Sequence, residues 1–142
     1  MDDMSGVDSI VLVATVNDNR LIELSLESAG YQLQMVTSGE EALAYLREHT
    51  PAIMIIDAHL MDLRGTILCD RVKRVTRLKH IPVVLLVNAH DLRMIEDARI
   101  SRADELITKP FMGRRLRSTV TFLLQRGVPK DGESEGEQPP KS

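Results

Sequence analysis

Three short apolar runs constrain this chain more than any other feature. They cover residues 9–14, 52–57 and 81–87, and the second ends on Asp57. A strand with one wet face alternates apolar and polar residues. A strand covered on both faces does not, and these runs do not. Between them the period changes to that of a helix. Residues 18–29 set Leu21, Ile22, Leu24 and Leu26 along one side, and Gly30 suits the following C-terminal cap. Tyr31, Leu33 and Met35 alternate with Gln32 and Gln34, which predicts a half-exposed strand at a sheet edge. Ser38-Gly39-Glu40-Glu41 is a capping box ahead of a helix over residues 42–48. Further helices are predicted over 65–77, 92–100 and 112–125, with a short strand over 105–108.

Five strands thus alternate with five helices. This order predicts an α/β fold: a parallel sheet covered by helices on both faces and joined by right-handed crossovers. In such sheets functional groups collect beyond the carboxyl ends of the strands. The positions to inspect are those after Val13, around Asp57, around Val87 and around Lys109.

With 142 residues, the chain suits one domain that needs no covalent staple. Residues 1–8 read as a flexible N-terminus, 9–126 as the domain, and 127–142 as a disordered acidic tail or linker rich in Gly, Pro, Ser and Glu. Cys69 is the only cysteine, so no internal disulfide forms and a reducing cytoplasm is expected. No apolar run approaches the roughly 18 residues of a membrane span. The net charge of −3, the 3% aromatic content and the lack of Trp argue against a nucleic-acid partner.

Asp57 closes an apolar strand, where an unpartnered carboxylate is costly. Lys109 precedes Pro110 after the fifth strand, within the fold's reach of Asp57 as an ion-pair partner, and Lys109-Pro110 is a candidate cis peptide. At this point the chain resembles a response-regulator receiver domain, the phosphoacceptor module of two-component signalling. The resemblance spans about residues 9–126. It rests on IVLVATVNDNRLIELSLESAGY (10–31), TSGEEAL (37–43), IMIIDAHLMDLRG (53–65), LKHIPVVLLVNAH (78–90) and ADELITKPF (103–111). It implies a flavodoxin-like (βα)5 three-layer sandwich with strand order 2-1-3-4-5. It also implies that Asp57 matches the phosphoacceptor, Lys109 the lysine that contacts the phosphoryl oxygens, and His59 a backbone metal-ligand position.

The departures from the family pattern are equally specific. Ala14 and Thr15 stand where the family carries an acidic pair that helps hold Mg²⁺. A hard dication wants oxygen ligands, and alanine offers none. Val87 replaces a Thr or Ser whose hydroxyl bonds the phosphoryl group, and Leu106 replaces an aromatic residue. Met61 and Arg102 replace a usual proline and glycine. These losses predict a pseudo-receiver that acts by protein contact, with weak Mg²⁺ at Asp57 at most and no other cofactor. The expected partner is a histidine kinase or a downstream signalling protein. A slow phosphoacceptor at Asp57 is the alternative within the family. Without the acidic pair, Asp57 and Lys109 are expected to form a structural ion pair. Asp18 matches the start of the first helix and is expected to point away from the site.

The chain is not expected to be an enzyme. An aspartyl-phosphate-forming phosphatase of the haloacid-dehalogenase kind normally has a second Asp where this chain has His59. A purely structural oligomerisation module is a third reading. His59 reads as an exposed loop residue, and Cys69 as a small buried hydrophobe. Arg93, Arg99, Arg102, Arg114, Arg115 and Arg117 give the last two helices a basic bias. They read as solvated surface or, by the resemblance, as a face built from the fourth helix, fifth strand and fifth helix for an acidic partner or a homodimer.

Overall fold

The computed structural model describes residues 10–16 and 19–126. The predicted flexible N-terminus, the tail over 127–142, Ser9 at the start of the first run and Asp18 lie outside the described residues. The elements are β1 (Ile10–Ala14), α1 (Asn19–Glu27), β2 (Gln32–Val36), α2 (Gly39–Glu48), β3 (Ile53–Asp57), α3 (Gly65–Arg74), β4 (Val83–Asn88), α4 (Leu92–Ile100), β5 (Glu105–Lys109) and α5 (Gly113–Arg126). All strand pairs are parallel, in the order β2-β1-β3-β4-β5. This is the flavodoxin-like arrangement.

Period-two geometry splits each buried strand between two apolar layers. Val11, Val13, Ile53, Ile55, Val84, Leu86 and Ile107 face α1 and α5, against Ile22, Leu26, Leu116, Val120 and Leu123. Leu12, Ala14, Met54, Ile56, Val83, Leu85 and Val87 face α2, α3 and α4, against Ala42, Leu46, Leu68, Cys69, Val72 and Ala98. The strands are continuous apolar runs because both layers need filling. β2, the sheet edge, keeps its alternation, with Leu33 and Met35 only partly buried.

The helix ends differ from the sequence reading in informative ways. In α1, Ile22 and Leu26 are buried, but Leu21 and Leu24 are 40% and 55% exposed. The helix touches only the α5 side of the sheet, so one i, i+4 stripe suffices. Gly30 does cap α1: its φ is 91°, Tyr31 N donates to Leu26 O and Gly30 N to Glu27 O. Those two bonds form a Schellman motif. α3 stops at Arg74 rather than 77. Arg77 instead leaves the helix and donates to Leu46 O and Thr50 Oγ1, tying the end of α2.

The capping box at α2 is shared among three side chains. Ser38 Oγ accepts from Glu41 N at 3.0 Å, while Glu41 Oε1 accepts from Thr37 N at 2.9 Å rather than from Ser38. Asp62, from the loop after β3, accepts from Gly39 N and Glu40 N, both at 2.9 Å. Those two amide bonds, Gly39 first, hold the Asp62 carboxyl below its ordinary value of 3.8. The carboxylate therefore adds stability above its unfolded pKa, and that contribution is lost as pH falls through the lower folded value. Asp62→Ala is expected to flatten this part of the acid limb; urea midpoints at neutral pH and below 3.8 measure it. An unchanged acid limb would show that Asp62 does not hold α2.

Candidate functional site

The same period-two rows that fill the α1/α5 layer run past its last apolar residues onto Thr15, Asp57, Asn88 and Lys109. β1 pairs Ala14 with Ile56, β3 pairs Asp57 with Leu86, and β4 pairs Asn88 with Lys109. These four residues therefore meet at the carboxyl edge of the sheet. Asp57 is 2% exposed. Its Oδ2 accepts from Lys109 Nζ at 2.9 Å and from Thr15 Oγ1 at 3.3 Å. Its Oδ1 accepts from His59 N at 2.9 Å. The buried carboxylate is thus paired and hydrogen-bonded on both oxygens, which is what allows it to be buried. The Lys109-Pro110 peptide is cis.

α3 approaches this strand end closely. Gly65 N donates to Ala58 O at 3.1 Å, and a Cβ on Gly65 would lie 2.4 Å from Asp57 O.

One reading of the sequence is corrected here, and one is extended. Thr15, which stands at a position where the family carries acid, uses its hydroxyl to donate to Asp57. His59 is not a free loop residue. Its side chain is 30% exposed, its Nε2 accepts from Asn88 N at 3.1 Å, and its Nδ1 lies 3.9 Å from Asp91 Oδ2. The sequence carried no signal for that contact, because residues 59 and 88 meet only through the sheet register. Ala14 and Val87 lie in the apolar layer under α2, α3 and α4, with Leu106 packed against it. Cys69 lies in the same layer, where burial pushes its thiol up to about 12 and leaves it unreactive.

The arginines are spread over several elements. Arg114 and Arg117 line a groove with Ala29, Thr121 and Phe122 on the α1 side of α5. Arg93 and Arg99 sit on α4, across the sheet, and Arg102 follows it. Arg115 lies 3.8 Å from Glu105, an exposed pair worth little.

The donors near Asp57 do not fit Mg²⁺ well. Among the described residues they are the Asp57 carboxylate and the Thr15 hydroxyl, beside the Lys109 ammonium, with the His59 carbonyl as the backbone position that the resemblance implies. Mg²⁺ demands near-octahedral oxygen coordination. Among the described residues, no three His, Cys, Asp or Glu side chains are grouped to hold a metal.

The sequence matches the family described as "Response regulator receiver domain" over residues 1–121. The chain belongs to that family. A solved receiver domain of a signal transduction histidine kinase from Syntrophus aciditrophicus is 29% identical, with a TM-score of 0.79, covering 92% of this chain and all 100% of that one. The transcriptional regulatory protein AfsQ1 of Streptomyces coelicolor is 32% identical over 113 residues, 80% of this chain and 49% of that protein. Histidine kinase P4 of Formosa agariphila is 29% identical over 117 residues, which are 82% of this chain and 8% of that protein. This receiver domain thus spans about half, or less, of the length of these curated relatives. No helix among its described residues is long and apolar enough to cross a membrane.

Proposed function

We propose that this receiver domain works in two-component signalling as a protein-contact module with a degenerate phosphorylation site. The observation that supports this is the resting state of Asp57. Its carboxylate is occupied by Lys109, Thr15 and the His59 amide, and Ala14 adds no ligand where the family carries acid. Phosphoryl transfer to a carboxylate needs positive charge to offset the moving group. Lys109 supplies some, and the donor set is poor for the metal that would supply the rest. A histidine kinase or a downstream signalling protein is the proposed partner, in the cytoplasm, with no catalytic turnover by this chain. An exposed stretch of α4, β5 and α5 is available to such a partner or to a second copy.

Intact-mass spectrometry after incubation with acetyl phosphate and Mg²⁺, beside Asp57→Asn, tests the reading. The expected result is no gain of a phosphoryl group in either protein. A gain that disappears in Asp57→Asn would overturn the degenerate-site reading. It would establish the second one, a slow phosphoacceptor at Asp57, for which the retained Asp57–Lys109 contact speaks.

A further inference from the structure

We infer that His59 is a positioning residue that couples the Asp57 carboxylate to the start of α4. Four backbone and side-chain links make a closed ring. His59 N donates to Asp57 Oδ1, and Asn88 N donates to His59 Nε2 at 3.1 Å. From the next residue, Ala89 N donates to Lys109 O at 3.0 Å, and Lys109 Nζ returns to Asp57 Oδ2 at 2.9 Å. The loop between β4 and α4 is therefore held from two sides, and both holds lead to one carboxylate.

The ring continues into the helix. Asp91 N donates to Asn88 O at 3.0 Å, and Asp91 Oδ1 accepts from Met94 N as the N-cap of α4. The other Asp91 oxygen, Oδ2, lies 3.9 Å from His59 Nδ1, too far for a hydrogen bond but close enough for attraction. For Nε2 to accept, the ring proton must sit on Nδ1, the atom that faces Asp91. One side chain thus aligns an acceptor with the loop and a donor with the helix cap. Val87, just before the loop, is buried in the apolar layer and gives the loop no polar anchor. A change at Asp57 alters both anchors of the loop together. Without the imidazole, only the Lys109 arm transmits it. This inference does not depend on whether Asp57 accepts a phosphoryl group.

Amide hydrogen exchange and ring ¹⁵N shifts, measured by NMR on the full chain, test it. In His59→Ala the Asn88 amide is expected to exchange about five-fold faster, the loss of one solvent-accessible hydrogen bond. His59→Gln, whose Oε1 can accept, is expected to restore part of the protection. The ring is expected as the Nδ1–H tautomer. Asp57→Asn is expected to shift the Met94 amide, and to shift it less in a His59→Ala background, the signature of coupling through His59. Unchanged Asn88 exchange in His59→Ala, an Nε2–H tautomer, or an undiminished Met94 response would each overturn the assignment.

Discussion

Asp57→Ala is expected to lower the stability of the folded domain by about 3 kcal/mol, read as a fall in the urea midpoint at constant slope. The carboxylate is almost fully buried, and its removal deprives the Lys109 ammonium of the ion pair at 2.9 Å. Removing one side of a buried pair costs about 3–5 kcal/mol, because the charge that remains loses the attraction that offset its desolvation. The low end applies here, since the Lys109 side chain is 17% exposed and keeps some water. Thr15 Oγ1 and His59 N also lose their acceptor, but a hydroxyl can rotate to another partner. Adding Lys109→Met to Asp57→Ala is expected to recover part of the loss, because a partly buried ammonium then no longer has to be desolvated without the carboxylate. A rise in stability on Asp57→Ala would mean that the carboxylate is held under unrelieved strain. The structural ion-pair reading would then fail.

The sheet was legible because its strands are short, apolar on both faces and separated by helical periods. β2 was legible as the edge for the opposite reason: Gln32 and Gln34 interrupt its apolar residues. Helix ends were less legible. Arg77 continues the period of α3 in sequence, yet its guanidinium serves the carbonyls at the end of α2, a partner that the local pattern does not contain. Leu21 and Leu24 fit an apolar stripe by spacing, but α1 contacts the sheet along only one ridge.

At the site, Asp57 and Lys109 were legible as charged residues ending strands 3 and 5. Strand pairing and side-chain parity bring them together. The neighbours of Asp57 were harder to read. Thr15 looked like a missing acid, and its contact with Asp57 depends on the pairing of β1 with β3. His59 has no ligand spacing, and its partner Asn88 lies 29 residues on. The arginines share a stretch of sequence, but α4 and α5 cover opposite faces of the sheet. A charge count along the chain cannot separate those faces.

Gly65→Ala is expected to cost about 2–3 kcal/mol, near the top of the range for overpacking a well-filled site. Glycine at the first turn of α3 is not there for its backbone freedom. Its α-carbon faces the end of β3, where an added Cβ would sit 2.4 Å from Asp57 O and 2.7 Å from Ala58 Cα. Both atoms are backbone, so neither can turn aside. Relief requires moving α3 or moving the strand end, and Ala58 is fixed by its N–H bond to Leu86 O at 2.9 Å. The gain in helix propensity, about 1 kcal/mol at most, is too small to offset this. Gly39→Ala is the matched control. Its Cβ would meet Leu63 Cβ at 2.8 Å, an atom that no rotamer change moves, so the loop after β3 has to yield by a few tenths of an ångström, whereas at Gly65 a strand end and a helix have to part. It is expected to cost about 1 kcal/mol, less than Gly65→Ala, because a loop yields more readily than a buried strand end. Urea unfolding of the two variants separates the cases. Because the strained atom is the Asp57 carbonyl, Gly65→Ala should also shift the Lys109 and His59 amides in NMR spectra, whereas Gly39→Ala should not. Equal stability of the two variants would show that α3 slides freely over the strand end, and that close packing there does not fix the position of Asp57.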